Sequence, residues 1–352
     1  MANIRDIAAR ANVSIATVSH VLNGTRAVRK ETREAVNRAV SELGYAIDAS
    51  ARTLARGRAD LFGLVVSDIR NPFFPDIAAA FQAQASESGF DTVFMNTWHD
   101  AKRALASVER LLALKVSGIG VLTSQVSPAL RQLLQERSVP AVYLDLGTPG
   151  PYVANISIDY ESGICQVVES LLELGHRRIA YLSGPRNWHS SKLRLQAFQA
   201  ATRNKAEVEI RDAGGSGVQE GYVAASRMIT AFRPTAIACF NDQLAIGALH
   251  AAHDRGYSLP AELSVTGFDD ISFAENAYPP LTTVSVPKEE LGRLAAIALA
   301  GMLGTESHVG SHHNLSATLI VRSSTAAPYG GQGRQSKVGG PQNPPVSKRR
   351  TS

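Results

Sequence analysis

The sequence has little cysteine and no long apolar run. Only two cysteines, Cys165 and Cys239, occur in 352 residues, and each lies in an apolar segment. This predicts thiols in a reducing compartment rather than a disulfide framework. The absence of any run of 18 apolar residues argues against a transmembrane helix. Because no apolar stretch follows the N-terminus, we also expect no secretion signal and a cytoplasmic location.

Common catalytic motifs are also missing. No G-x-G-x-x-G follows the first apolar strand, and no phosphate loop, G-x-S-x-G or H-E-x-x-H occurs. His308, His312 and His313 are close in sequence, and a solvated loop explains them better than a metal site. We therefore predict neither an enzyme nor a bound metal or cofactor.

The positive charge is concentrated at the two ends of the chain. The net charge is +5, and residues 1–60 carry ten Lys or Arg against six Asp or Glu. Residues 327–352 carry five basic residues and no acidic one, so the part between the ends is acidic. This distribution is typical of a chain whose ends contact nucleic acid and whose middle does something else.

A first short helix is predicted at the N-terminus. Asn3 can cap it, and Asp6 lies in its first turn, facing the positive end of the helix dipole. One apolar face follows the i, i+3, i+4, i+7 pattern: Ile4, Ile7, Ala8 and Ala11.

A second short helix follows after a very tight turn. Ser14 can cap it, and Val13 and Val18 have the spacing of a hydrophobic staple. The helical pattern turns three residues inward, namely Ile15, Val18 and Leu22, and three outward, namely Ala16, Thr17 and His20. Asn23 and Gly24 form a stop signal. Two helices joined this way can form a helix-turn-helix motif, whose second helix enters a major groove.

An ordinary helical hairpin would fit the spacing equally well. A third helix over 30–43, which has one apolar face and Gly44 as its stop, makes the first 60 residues small, helical and basic. That combination favours a DNA reader over a plain hairpin.

The runs DIAARANVS, TVSHVLNGTR and VRKETREAV, with the leucine of SARTLARG, resemble the lactose/galactose repressor family of bacterial transcription regulators, especially its purine-repressor and ribose-repressor branches. The resemblance covers residues 2–324. It implies an all-α helix-turn-helix headpiece at 1–47, a hinge at 48–60 and a homodimer on double-stranded operator DNA. It also implies the bacterial nucleoid as the place where the bound protein resides.

Residues 48–60 are too short to form a stable helix alone, and a plain linker is the alternative. The resemblance implies instead a hinge helix that orders on the operator and inserts Leu54 into the minor groove. We expect the following residues to bind DNA: Ser14, Ile15, Ala16, Thr17, His20, Asn23, Arg26, Arg52 and Leu54.

From residue 61 onward, apolar strands alternate with helices. Strands are predicted at 61–67, 91–96, 118–123, 140–145, 178–184, 236–240, 263–268 and 281–286. Helices are predicted at 77–88, 101–114, 162–174, 193–204, 221–231 and 243–255. Two such sets predict two α/β lobes, each with a parallel sheet flanked by helices.

The resemblance implies the periplasmic-binding-protein fold for a core at 61–326, with three crossovers between its lobes. We place these near 158–161, 286–288 and 321–323. Lobe one then comprises about 61–158 and 288–320, and lobe two about 162–285 and 322–326. Residues 327–352, rich in Gly, Pro and Gln, are predicted to be a disordered basic tail.

A ligand of such a core binds beyond the carboxyl ends of the strands. Aromatic and polar residues there suit a polyhydroxylated ring, stacked on its faces and hydrogen-bonded at its edge. We expect the following effector-binding residues: Asn71, Phe73, Phe74, Asp145, Trp188, Ser190, Arg194, Asn241 and Asp269. Replacing Arg194 or Asp269 by Ala should abolish the ligand response and leave ligand-free folding almost unchanged.

Structural roles compete with several of these assignments. Phe73 and Phe74 could be ordinary core residues, and Arg194 a surface residue of a helix. Asp242 and Asp270 could each cap a following helix. By the resemblance, Leu146 and Val286 stand where pentose binders have Arg and Gln, which argues against simple ribose as the ligand.

These features predict a transcriptional repressor whose operator affinity is controlled by a sugar or sugar derivative bound between the lobes. The first alternative is a purine- or nucleoside-responsive repressor of the same family. The second is a sugar-binding transport protein, which the basic headpiece disfavours.

Overall fold

The computed structural model describes residues 2–23, 26–44, 57–304 and 308–328. Its N-terminal part is a bundle of three helices, which we call the headpiece: α1 (Ile4–Arg10), α2 (Ile15–Asn23) and α3 (Lys30–Glu42). The side chain of Asn3 caps α1, as predicted, and Asp6 completes a capping box with it, which was not predicted. Ser14 caps α2, because its Oγ accepts a hydrogen bond from the Thr17 amide at 3.1 Å.

The headpiece encloses a small apolar core of its own. Its fully or nearly fully buried residues come from all three helices: Ile7, Ala8, Val18, Val36 and Ala39. Ile15 does not turn inward as predicted, because 46% of its surface is exposed. Ile15 is the first residue of α2, and the helix contributes Val18, one turn later, to the headpiece core. The side chain of Ile15 is left at the surface.

Lobe one contains a six-stranded parallel sheet in the order β11-β5-β4-β3-β1-β2. Its strands are β1 (Leu61–Val66), β2 (Asp91–Asn96), β3 (Gly118–Leu122), β4 (Ala141–Leu144), β5 (Val153–Ile158) and β11 (His312–Leu315). Its helices are α4 (Phe73–Glu87), α5 (Ala101–Ala113), α6 (Pro128–Glu136) and α11 (Lys288–Gly304). Central strands β1 and β3 are almost wholly buried, which explains their continuous apolar sequences.

Lobe two contains a four-stranded parallel sheet in the order β7-β6-β8-β9. Its strands are β6 (Arg178–Ser183), β7 (Glu207–Asp212), β8 (Ala236–Cys239) and β9 (Ser264–Thr266). Its helices are α7 (Tyr160–Glu173), α8 (His189–Thr202), α9 (Val218–Ala231) and α10 (Asp242–His253). The predicted architecture of a helical headpiece and two α/β lobes is confirmed.

The chain passes between the lobes three times. It leaves lobe one after β5, returns at the start of α11, and reaches lobe two again after β11. Strands β10 (Thr283–Ser285) and β12 (Thr318–Ile320) pair antiparallel beside the last two passages. Residues 323–326 then bond to lobe two, for example through the Ser324 carbonyl and the Val265 amide. The residue boundaries proposed for the domains remain predictions.

Several elements differ from the sequence-based expectation. Helices α4, α7, α8 and α9 begin two to four residues earlier than predicted. Helices α6 and α11 and strands β5, β7, β11 and β12 were not predicted. His312 and His313 lie on β11, so the expected solvated loop is wrong for them. At the N-terminal end of the core, the amide of Ala59 donates a hydrogen bond to the Lys115 carbonyl, so the described structure of lobe one includes this residue of the predicted hinge.

Candidate effector site and DNA-binding face

The two lobes face each other across a cleft at the carboxyl ends of their strands. All nine predicted effector residues line this cleft. Asn71, Phe73, Phe74 and Asp145 come from lobe one, and the other five from lobe two. The cavity in this cleft is only about 60 Å³, whereas sites for drug-sized ligands span roughly 300–1,000 Å³. A ligand of that size needs more room between the lobes than this structure leaves.

The N-terminus of α4 forms the wall contributed by lobe one. Asn71 uses its side-chain oxygen to accept a hydrogen bond from the Phe73 amide at 3.1 Å, which fixes the start of the helix. Phe73 and Phe74 are 6% and 8% exposed and meet edge to face. They belong to the hydrophobic core and also line the cleft, so the core and ligand-site interpretations are both compatible with their position.

Arg194 is the most buried cation of the cleft, with 4% of its side chain exposed. The alternative of a surface residue is therefore wrong. Its Nη2 donates to Asp269 Oδ1 at 3.1 Å, its Nη1 donates to the Phe240 carbonyl, and its guanidinium lies 3.9 Å from the Phe268 ring centre. Burial alone lowers the pKa of Arg194, but the Asp269 carboxylate and nearby tyrosines raise it overall. The guanidinium thus stays charged inside the protein.

One polar atom of Arg194 is left over. Its Nε is buried and has no hydrogen-bond partner among the described residues. Leaving a buried donor unpaired costs free energy, so an acceptor supplied by a ligand would be favourable here. This donor gives the cleft a preference for a ligand with an oxygen or nitrogen lone pair.

Asp145 sits on a left-handed turn, with φ +63°, directly after β4. Its carboxylate accepts hydrogen bonds from the Tyr160 hydroxyl at 2.6 Å and the Ile158 amide at 3.0 Å. Burial raises the pKa of Asp145 and, more strongly, that of Tyr160. Tyr160 was missed in the sequence because it stands in a predicted crossover, where no strand end pointed to it.

His99 of lobe one and Trp188 of lobe two close the cleft. Their rings stack with centres 4.0 Å apart and an interplanar angle of 17°. Burial lowers the pKa of His99, which therefore favours the neutral ring. His99 was not predicted because a lone histidine after an apolar strand carries no distinctive signal. Ser190, the second residue of α8, is half-buried and also lines the cleft.

The acidic residues of lobe two have different partners from those predicted. Asn241, not Asp242, caps α10, since its Oδ1 accepts a hydrogen bond from the Leu244 amide. Asp242 is buried and accepts hydrogen bonds from the Ile271 amide and the Thr283 hydroxyl. Asp270 precedes no helix and pairs with Arg322 at 2.8 Å. Both capping alternatives are therefore wrong.

Two further predicted features have a clear place. Leu146 lines the cleft, whereas Val286 is buried outside its lining.

Cys239 is buried and Cys165 half-buried, and neither forms a disulfide. No cluster of metal-ligating side chains occurs in the part of the chain that the structure describes. Within that part, no helix is long and apolar enough to cross a membrane.

Five of the predicted DNA-binding residues lie at the start of α2 or within its first turns. Ser14, Ile15 and Ala16 are exposed, and Thr17 and His20 are half-buried. The Thr17 hydroxyl is bonded to Ser14 Oγ at 2.8 Å, which ties it to the cap. Further predicted residues are Arg26, which is exposed, and Asn23, which ends α2. Arg52 and Leu54 lie outside the described residues.

Family models match at both ends of this architecture. Residues 3–48 match the model "Bacterial regulatory proteins, lacI family", and residues 168–325 match a periplasmic binding protein-like domain. A relative from Vibrio atlanticus (strain LGP32), the HTH-type transcriptional repressor PurR, is 32% identical over 329 residues, covering 92% of this chain and 98% of its own. The chain belongs to the lacI family. The resemblance seen in the sequence is confirmed.

Solved structures of the lacI family agree with this assignment. The Lac repressor dimer bound to operator and the anti-inducer ONPF is 30% identical, with a TM-score of 0.81 and coverage of 93% of this chain and 99% of that one. A complex of the transcriptional regulator CelR with cellobiose is 31% identical, with a TM-score of 0.69 and coverage of 92% and 100%. Headpiece and core are therefore both similar to those of known regulators.

Proposed function

We infer that the protein is a sequence-specific transcriptional repressor whose operator affinity is set by a small molecule bound between its lobes. The cleft carries this inference, because its lining comes from both lobes and places a buried Arg194–Asp269 pair beside aromatic side chains. A ligand that touches both lobes favours one inter-lobe angle, and that differential contact makes it an allosteric effector.

We propose that the DNA partner is double-stranded and nearly palindromic, and that two copies of the chain bind it. Ile15 and Ala16 at the start of α2 can meet thymine methyl groups, and His20 one turn later can donate to guanine. Arg26, Ser14, Thr17 and Asn23 would contact the backbone or neighbouring bases. Arg52 would contact phosphate, and Leu54 would wedge into the minor groove at the dyad. The dimeric Lac repressor on its operator supports this arrangement.

The chemistry of the cleft suits a sugar or sugar derivative. Phe73, Trp188 and Phe240 offer ring faces, while the unpaired Nε of Arg194 offers a donor. The CelR complex with cellobiose supports this ligand class. A purine or nucleoside is the second candidate, favoured by the similarity to PurR and by the apolar Leu146 in the lining.

Neither a transport role nor catalysis is part of the proposal. The matched relatives and structures described above are regulators, and we place this one in the cytoplasm, on the nucleoid when operator-bound. A sustained conversion of any sugar by the purified protein would contradict this view.

A thermal-shift screen of sugars, nucleosides and purines tests the effector half of the proposal. A ligand that binds only the folded state stabilises it by about 2.7 kcal/mol at a concentration of 100 times its Kd. The same ligand must also change the affinity for an operator selected from random DNA. A ligand that raises the melting temperature without changing operator affinity would argue against an effector role.

A further inference from the structure

Lys288 is a buried cation that reaches across the two lobes. It is the first residue of α11 in lobe one, and its side chain is only 8% exposed. Its Nζ donates to the Asp270 carbonyl at 2.5 Å and lies 3.3 Å from the Asp269 carbonyl, both in lobe two. On the lobe-one side it lies 3.8 Å from Asp76 Oδ2 on α4.

The turn that Lys288 holds has an unfavourable backbone. Asp269 has φ +106° and Asp270 has φ +51°, a left-handed region that residues with a Cβ rarely occupy. Such a conformation persists only where its surroundings fix it. The ammonium group of Lys288 binds both carbonyls that this backbone brings together, and Arg322 holds the Asp270 side chain.

The same turn delivers a carboxylate to the cleft. Asp269 bonds Arg194 at 3.1 Å, and the charge of Lys288 adds to the stabilisation of its ionised form. The direction of this carboxylate depends on the turn, so it depends on Lys288 as well.

Helix α11 is also packed tightly against α4. A Cβ at Gly292 would overlap the Ile77 carbonyl and come within 2.9 Å of the Phe81 amide, so the backbones of the two helices touch. Because α4 begins with Phe73 and Phe74, its position sets the lobe-one wall of the cleft.

We propose that Lys288 is a positioning residue that couples the Asp269–Asp270 turn of lobe two to α11 and α4 of lobe one. When the lobes part, its bonds to the two carbonyls break, and the turn loses the support that aims Asp269 at Arg194. Lobe closure and the shape of the ligand site therefore change together. The effect on ligand binding rests on the proposed function, whereas the effect on closure does not.

Tryptophan emission tests the closure step without any ligand. In a Trp98→Phe background Trp188 is the remaining tryptophan, and its stack on His99 reports contact between the lobes. Lys288→Met keeps the length of the side chain and removes its charge, so we expect red-shifted emission and greater acrylamide quenching. Lys288→Arg should restore both, and Lys102→Met, at an exposed position of α5, should change neither. A folded Lys288→Met protein with unchanged Trp188 emission and quenching would overturn the proposal.

A milder variant covers the case in which Lys288→Met does not fold. Asp76→Asn leaves the bonds to the turn intact and removes only the interaction with α4, so it should shift Trp188 emission in the same direction by a smaller amount. Unchanged emission in that variant, together with an unfolded Lys288→Met, would also overturn the coupling and reduce Lys288 to a structural role.

Titration with three probes tests the ligand step. D-ribose, cellobiose and hypoxanthine are added to each variant, and any probe that binds the wild-type protein should bind Lys288→Met about fivefold or more weakly. Equal affinities would show that closure and the site are independent. If no probe binds the wild-type protein, the proposed ligand classes are at fault, and the emission comparison still decides the role of Lys288.

Discussion

At the scale of single residues, the cleft is dominated by groups that are both charged and buried. Arg194 and Asp269 are 4% and 6% exposed, and a hydrogen bond from Nη2 of Arg194 to Oδ1 of Asp269 joins them. Burial raises the pKa of Asp269, while Arg194 and Lys288 oppose the rise. Such a pair is held in place by its surroundings, and each member depends on the other.

Arg194→Ala should therefore do more than abolish the ligand response. It leaves the Asp269 carboxylate buried without its cation, which typically costs about 3–5 kcal/mol of stability. This differs from the sequence-based expectation of nearly unchanged folding, because burial of the pair could not be read from the sequence. Urea denaturation measures the loss, and Arg186→Ala, at a side chain 81% exposed, is the control. A stability loss as small as that of the control would contradict the structural argument.

His99 should give the protein a pH-dependent stability. Burial lowers its pKa below the ordinary 6.5, so below pH 6.5 the unfolded chain binds a proton that the folded chain still excludes. The contribution of the neutral His99 to the free energy of unfolding is therefore complete above pH 6.5, and it is lost as the pH falls from 6.5 through the pKa that His99 has in the folded protein. We expect the free energy of unfolding to fall more steeply between about pH 7 and about pH 5 in the wild type than in His99→Phe. If the free energy of unfolding changes with pH equally in the wild type and in His99→Phe, His99 does not cause the pH dependence.

The sequence indicated the residue types of the cleft better than their partners. Strand ends led to Asn71, Asp145 and Asn241, because parallel strands converge at one edge. It could not reveal that the oxygens of Asn71 and Asn241 are used within the protein. Tyr160 and His99 were missed because their roles arise from contacts between distant segments.

At the scale of elements, α2 shows how a short helix can present its residues. Its cap Ser14 and the buried Val18 fix the helix, while Ile15 and Ala16 at its start remain exposed. A side chain that reads bases should matter on one DNA sequence only, whereas one that touches phosphate should matter on all.

His20→Ala should cost about 1–3 kcal/mol of binding free energy at the cognate operator and little on random DNA. The reason is that an imidazole donor to guanine N7 or O6 discriminates between bases. Gel-shift titrations at fixed salt measure both affinities. Equal losses on the two DNAs would show that His20 contacts only the backbone.

The contact between α4 and α11 predicts a second outcome. Gly292→Ala would force the two backbones apart and should destabilise the protein by about 1–3 kcal/mol, the usual cost of overpacking. Gly301→Ala on the same helix is the control, since its Cβ would meet no described atom within 4 Å. There we expect no loss, and a gain of up to about 1 kcal/mol from helix propensity. Similar denaturation midpoints for both variants would argue against the close contact.

Helices and strands whose apolar residues recur at a clear period were predictable from the sequence, and those without such a period were not. Strand β7 alternates charged and apolar residues and is half-exposed at a sheet edge, so it lacks the apolar run that revealed β6 and β8. Helix α11 is largely buried, and its sequence is apolar around much of its circumference, which hides the helical period. Helices α4 and α7 begin earlier than the sequence predicted. Their first turns contain Phe73 and Tyr160, which line the cleft, so these turns do not follow the simple apolar pattern of the rest of the helix.

At the scale of the whole molecule, the two lobes are completed by the last described segments of the chain. Strand β11 is the edge of the lobe-one sheet beside β5, and residues 323–326 bond to lobe two. Ser324 alone links the Val265 carbonyl and the Thr282 amide through its hydroxyl.

A chain ending at residue 310 should therefore fail to reach the native core, although it keeps both lobes' central strands. A chain ending at residue 328 retains β11 and the bonds of Ser324, so its core should unfold at the same urea concentration as the core of the full chain. Circular dichroism during urea denaturation and resistance to limited proteolysis compare the two. A cooperative, protease-resistant core in the shorter chain would show that these closing segments are dispensable.

This late closure has a consequence for synthesis. The ribosome releases β1 about 250 residues before β11, and both sheets stay open until the final crossover has emerged. During that interval the β5 edge and the β9 side of lobe two expose unpaired backbone groups, which are natural targets for wrong pairing with a neighbouring nascent chain. Folding of this regulator in the cell should depend on chaperones that bind exposed strand edges, and more so when translation is slow.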